Sequence, residues 1–368
     1  MDNRQKLAER IVNYSIKAKP NEKVLVQYSD CDDDFLVALQ KEILKVKAFP
    51  FFKCVNRQLM KTELSCGNKE LFELKTKYDE VLYKDMDCII IIGGANNIYD
   101  YAHIDTNIKE MYDKIYTQRV HFDIRVKKRW VLLRYPTPSF AQLAEMGTKE
   151  FEQYFFDVCS MDYEKMDKAC VALKNLMERS DKVKIVAPNT NLEFSIKGLP
   201  AIICSGQCNL PDGEVYTAPV KDSINGEVTF NIPAMQGGTK FENIHLVFEK
   251  GKVVKFDCNN NKEFEKILDL DNGSRYVGEF AFGINPYVTK SINDILFDEK
   301  MCGSLHMALG CSYDNCNNTN KSVLHWDLIL NQTKEYGGGE IWLDGVKVRE
   351  NGKFILPELV ALNPENLL

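Results

Sequence analysis

Apolar residues in the first half of the chain fall into short dense runs separated by segments of helical period. KVLVQYS (23–29), FPFFKCV (49–55), DCIIIIGG (87–94) and RWVLLRYP (129–136) are rich in β-branched and aromatic residues and too short for helices, so they predict strands. LVALQKEILKV (36–46) and the regions 70–84 and 104–117 repeat apolar positions every three or four residues and predict helices. The nearly unbroken run 87–94 has the character of a parallel strand buried on both faces. Strand–helix alternation of this kind predicts an α/β domain with a doubly wound, mainly parallel sheet. A long helical stretch, 151–177, closes it, so the domain is expected to span 1–180.

Beyond residue 180 the period changes. KVKIVAP (182–188), NLEFSIKG (191–198), EVYTAPV (214–220), GEVTFNIP (226–233) and IHLVFEKGKVVKFDC (244–258) predict short strands, with one helix at NKEFEKILDL (261–270). Glu249–Lys252, Asp344-Gly345 and Asn351-Gly352 carry hairpin-turn chemistry. Residues 181–368 are therefore expected to form a β-rich domain, mainly antiparallel and barrel-like, of α+β type.

Composition narrows the function. A 368-residue chain that is 45% hydrophobic and 27% charged is globular and suits two cores. Its net charge of −6 argues against nucleic acid or an anionic membrane as partner. The basic cluster RVKKRW (125–130) runs straight into an apolar strand. Twelve cysteines without a CxxC pair fit reduced thiols in a reducing compartment. The first residues are an amphipathic helix pattern rather than a signal peptide, and no apolar run approaches the roughly 18 residues of a membrane span. A soluble cytoplasmic protein is expected.

The candidate chemistry lies in the second half. KSVLHWDLIL (321–330) reads as a strand, yet His325 and Asp327 project from one face of it, with Trp326 on the other. Imidazole beside carboxylate suits Zn, Co or Mn better than Mg or Ca alone; the same pair also occurs as a buried ion pair. His306 lies in another apolar segment, GSLHMALG. Glu214 and Glu279 each follow a glycine at the start of an apolar strand, where burial requires a counter-charge. Gly93-Gly94 lacks the spacing of a phosphate loop and reads as a tight strand exit. The Asp30, Asp32, Asp33, Asp34 cluster lacks EF-hand spacing, and helix capping explains at least one of its carboxylates.

NLPDGEVYTAP (209–219), GEFAFGINP (278–286), DEKMCGSLHMALG with Tyr313 after it, and HWD (325–327) together resemble the motifs of the metal-dependent aminopeptidases typified by aminopeptidases T and S, also called the thermophilic metalloprotease family. The resemblance covers about 209–327 and keeps the family's order. It implies two divalent metal ions (Zn, Co or Mn) held by Glu214, Glu279, His306, Tyr313, His325 and Asp327, with Glu279 bridging. It also implies removal of N-terminal residues from short peptides by a metal-activated bridging water. Glu279 and Glu299 are the catalytic candidates, Glu299 as proton shuttle with Glu214 as the fallback. The spacing from Glu299 to His306 is longer than in some members. A homodimer is implied as well. The alternatives are an amidase or phosphoesterase with the same ligand set, or a non-catalytic metal- or peptide-binding homologue. No GxSxG elbow is present to support a serine nucleophile.

Overall fold

In the computed structural model, which describes residues 2–368, the four first-half strands and the short strand Asn209–Leu210 form one five-stranded sheet. Its order is Phe49–Cys54, Lys23–Ser29, Cys88–Gly93, Arg129–Arg134, Asn209–Leu210. Every neighbouring pair is parallel. Parallel neighbours need crossovers, and the helices Asp33–Lys45 and Lys69–Asp85 lie between successive strands in sequence. Ile89, Ile90 and Ile92 on the central strand are sealed from solvent, as the unbroken apolar run requires. Asp33–Lys45 packs with Asn3–Arg10, whereas Lys69–Asp85 packs with the π-helical turns Asp113–Phe122. This is the doubly wound α/β arrangement that the sequence predicts.

The glycine pair and the acidic cluster are structural. A Cβ on Gly94 would lie 2.1 Å from the Asp30 carbonyl oxygen, so two adjacent strand exits meet there at backbone contact. Asp32 caps Asp33–Lys45, accepting from Phe35 N at 2.7 Å, and pairs with Arg4 at 2.9 Å. Asp30 accepts from Asn96 N at 3.0 Å.

Two elements differ from the sequence reading. The stretch 151–177 is two helices, Thr148–Cys159 and Tyr163–Arg179: the first ends at its C-cap Ser160, and Asp162 caps the next, accepting from Lys165 N at 3.0 Å. A helix at Arg57–Cys66 has only a narrow apolar face to announce it, with Leu64 buried and Met60 packed against the same cluster. By internal contacts the chain divides into two units: residues up to Ser160 with Gly206–Pro211, and Met161–Ser205 with Asp212–Leu368. By contacts the first division thus falls after Ser160. The helix Tyr163–Arg179 goes with the second unit because its buried face packs on the strands Ile202–Cys204 and Glu214–Thr217.

The second unit holds two large antiparallel sheets. One has eight strands, ordered Lys252–Asp257, Ile244–Glu249, Asn225–Phe230, Thr190–Ser195, Lys182–Ala187, Glu340–Leu343, Val346–Glu350, Lys353–Phe354. The other has five, ordered His325–Asn331, Ser304–Gly310, Val277–Gly283, Glu214–Thr217, Ile202–Cys204. The barrel-like expectation is corrected here: both sheets are open, because no hydrogen bonds join the last strand of either to its first. The predicted hairpins form, with paired positive φ at Lys250-Gly251, Asp344-Gly345 and Asn351-Gly352. Phe280 and Phe282 project from the back of the five-stranded sheet onto Phe194 and Phe354 of the larger one, with ring centroids 5.1 and 5.7 Å apart. Trp326 packs on Phe241 and Phe264 from the same side. That apolar back fixes which residues face forward.

Candidate metal centre

Strand alternation turns the front of the five-stranded sheet into a polar face. Along Val277–Gly283, Glu279, Ala281 and Gly283 point forward while Phe280 and Phe282 fill the core. Pairing then fixes the neighbours. Ala308 lies between Glu279 and Asp327, Ala281 between Tyr216 and His306, Gly283 opposite Glu214, and Gly310 opposite His325. Each polar side chain therefore stands beside an alanine or glycine, which leaves room above the sheet for the polar atoms to converge. A bulge at Gly278 shifts the register just before Glu279. Gly283 serves a second purpose: a Cβ there would lie 2.4 Å from Met301 O and 2.9 Å from Glu299 O, so the 299–301 segment crosses directly over it.

The carboxylates and imidazoles form two groups that share one residue. His306 Nε2 lies 3.3 Å from Glu214 Oε2 and 3.5 Å from Glu279 Oε1. His325 Nε2 lies 3.3 Å from Glu279 Oε2 and 3.6 Å from Asp327 Oδ1. The two oxygens of Glu279 thus face different histidines. Both rings are oriented by main-chain carbonyls: His306 Nδ1–H donates to Glu299 O at 3.0 Å and His325 Nδ1–H to Cys311 O at 2.9 Å. A carbonyl only accepts, so Nε2 is the atom turned to the carboxylates. Glu214, Glu279 and His306 offer one ligand atom each within 4.8 Å, as do Glu279, His325 and Asp327.

Glu214, Glu279 and His306 are at most 5% exposed, and that burial sets the electrostatics. It pushes the carboxyls of Glu214 and Glu299 upward, against the pull of Lys300. It also raises Asp327, to about 6, despite His325 beside it. Burial would raise Glu279 too, but hydrogen bonds to both histidines outweigh it and hold that carboxyl at about 2. For His306 burial disfavours the cation, yet the Glu279 hydrogen bond and the Glu214 charge bring it up to about 9. His325 is driven well above its ordinary value against the same burial cost, chiefly by Asp327. The site draws positive charge inward.

A divalent cation fits these donors. Glu214 Oε2 is buried without a hydrogen-bond partner, an arrangement that is costly unless a cation meets it. Five of the seven sequence candidates converge: Glu214, Glu279, His306, His325 and Asp327. Tyr313 stands at their edge, 44% exposed, with its hydroxyl 3.0 Å from His325 Nε2. Glu299 flanks them and pairs with Lys300 at 2.7 Å. Sequence reasoning missed Lys300, Asp212 and Cys204. Lys300 follows Glu299 directly and Asp212 stands two positions before Glu214, so adjacency was the available signal.

The fold and the sequence have counterparts. The solved structure of wild-type AmpT from Thermus thermophilus superimposes with a TM-score of 0.81 over 96% of this chain and 99% of that one, at 18% identity. At that identity the likeness shows the fold. The same fold is seen in 2,5-dihydroxypyridine dioxygenase from Pseudomonas putida KT2440, with a TM-score of 0.63 and 14% identity over 98% of this chain and 99% of that one. Aminopeptidase AmpS of Bacillus subtilis (strain 168) is 36% identical over 112 residues, 28% of this chain and 26% of that protein. Aminopeptidase 2 of Geobacillus stearothermophilus is 32% identical over 157 residues, 38% of this chain and 36% of that protein. These matches thus span about a quarter of the first relative and just over a third of the second. The model of the thermophilic metalloprotease (M29) family matches residues 1–354, and the chain belongs to that family.

Proposed function

We propose that this protein is a dinuclear metal-dependent aminopeptidase acting on short peptides. The observation that carries the reading is the division of Glu279 between two histidine–carboxylate groups. In this reading Glu214, Glu279 and His306 would hold one ion, Glu279, His325 and Asp327 would hold the other, and Tyr313 would complete the donor set beside His325. Zn, Co and Mn all suit the donor set. When bound, the two ions supply Lewis acidity to the scissile carbonyl and lower the pKa of a nucleophilic water. The chain's own residues do the rest. His306 and His325 are held in a fixed tautomer by main-chain carbonyls. Glu299, largely buried and flanking the ligands, takes the proton from water and returns it to the leaving amine through the oxygen that Lys300 leaves free.

Family membership and the aminopeptidase relatives favour peptide substrates over phosphate esters. No described helix is long and apolar enough to cross a membrane. Twelve free thiols, several of them buried, fit the reducing cytoplasm. The homodimer is part of the same reading; exposed Phe49, Phe51 and Phe52 on an edge strand support association, and sedimentation tests it.

The deciding experiment compares an aminoacyl anilide, its N-acetylated form and a phosphate ester as substrates. Each is assayed with native, chelator-treated and Mn²⁺-, Co²⁺- or Zn²⁺-restored protein. Metal-dependent cleavage of the free-amine substrate alone is expected. Activity indifferent to exhaustive chelation, or preference for the phosphate ester, defeats the reading.

A further inference from the structure

Lys300 is a lysine where a metal centre has little room for one. Its side chain is 1% exposed, and its ammonium lies 2.6 Å from Glu214 Oε1, 2.7 Å from Glu299 Oε1 and 3.6 Å from Asp212 Oδ1. A buried ammonium is costly to desolvate, and three carboxylates are a large compensation. Glu214 is thereby split: Oε1 goes to Lys300, while Oε2 faces His306 and has no hydrogen-bond partner. On the far side of Glu214 lies a third set of potential ligands. Cys204, Asp212 and Glu214 each bring one ligand atom within 4.8 Å of the others. The Lys300 ammonium stands against that set too, through Asp212 and Glu214.

Charge accounting agrees. Asp212, Glu214, Glu279, Glu299 and Asp327 are five carboxylates within one cluster, three of them buried and two partly so. Two divalent ions and one ammonium balance five negative charges. Close approach over Gly283 is what delivers Lys300 and Glu299 together, since the 299–301 backbone lies on that glycine.

We infer that Lys300 is a built-in third cation of the centre. It occupies the position that another divalent ion would take among Cys204, Asp212 and Glu214, confines Glu214 to a single metal-facing oxygen, and anchors Glu299 beside the ligands. Lys300 is thus a positioning residue, acting through Glu214 and Glu299. The inference rests on the dinuclear reading proposed above.

Its test is a Co²⁺ titration of metal-free protein followed by absorption, for wild type, K300A and the K300A/C204S double variant. Wild type is expected to bind two equivalents without a thiolate-to-cobalt charge-transfer band. K300A is expected to bind a further equivalent that carries this near-ultraviolet band, and the double variant to lose the band. The kcat of K300A should fall roughly 10- to 100-fold, the range for losing a residue that orients metal ligands. K300A that binds as many equivalents as wild type, without the band, overturns the inference. A second arm needs no variant: a crystal structure of Co²⁺-loaded wild type should show Glu214 bound through Oε2 alone, with Oε1 on Lys300. Glu214 chelating through both oxygens, with Lys300 turned away, overturns it equally. The wild-type stoichiometry tests the two-metal reading separately, because the lysine's effect is read as the difference between variant and wild type.

Discussion

Adding a divalent metal to the metal-free protein at pH 7 should expel about two protons, one from each histidine. The number follows from the electrostatics of the empty donor set. Glu279 and Glu214 bring His306 up to about 9, and Asp327 with Glu279 holds His325 well above its usual range, so both imidazoles are cationic at pH 7. A metal needs the Nε2 lone pair, and each ring must lose one proton to present it. Glu279, at about 2, is already ionised and contributes none. Asp327, at about 6, adds roughly a tenth of a proton at pH 7. Two released protons mean that affinity for the pair of ions weakens about 100-fold, about 2.7 kcal/mol, over the first unit below pH 7, and more steeply below that as Asp327 is protonated. Calorimetric titrations in phosphate and in Tris measure the release, since those buffers differ in ionisation enthalpy and the heats separate in proportion to the protons taken up. Release below half a proton would mean that the imidazoles are neutral before metal arrives. The charge-based account of the site would then be refuted, whatever the activity.

Three further outcomes are expected. H325A should abolish turnover, lower metal occupancy and cut the proton release to about one, while circular dichroism stays native because the His325 side chain is at the rim, 20% exposed; unchanged turnover defeats the ligand assignment. E279Q keeps the shape but weakens a ligand of both ions at once, so both affinities should fall by about 100-fold or more, taking about 3 kcal/mol per ligand as a share of the 10–16 kcal/mol of a four-ligand zinc site; loss of one ion alone would argue against a shared carboxylate. Stability of the metal-free protein should depend on pH in two windows. His306 is raised above its unfolded value of about 6.5, so its contribution is complete below that pH and is lost as pH rises through about 9. Glu279 is depressed, so its contribution is present above about 4.5 and is lost as pH falls towards about 2. Scanning calorimetry after chelation should therefore show the midpoint dropping on both sides, and a midpoint that climbs steadily from pH 7 to 10 would contradict the His306 account.

Parts of the molecule were legible in the chain because their signals are local. The run of isoleucines at 89–92 states its burial directly, and the Asn-Gly and Asp-Gly pairs state their turns. His325 and Asp327 share a face because a strand has a period of two. Other parts have little or no local signal. The helix Arg57–Cys66 buries a single leucine with Met60 beside it, so its apolar stripe is short. The eight-stranded sheet pairs Lys182–Ala187 with Glu340–Leu343, a contact between segments far apart in sequence that no turn residue encodes. Openness of the two sheets is likewise a matter of which edges meet.

By itself the sequence determined the alternation of strands, the residue types available for chemistry and the motif order that carries the family resemblance. Those properties are written in side-chain identity and in neighbours a few positions away. Only the tertiary structure decided that Glu279 turns one oxygen to His306 and the other to His325, that alanines and glycines clear the space around them, and that the Lys300 ammonium meets Glu214, Glu299 and Asp212. Those facts depend on strand register and on one close backbone crossing over Gly283, and distances of 3 Å between residues 20 to 90 positions apart are fixed by register and packing, not by spacing along the chain.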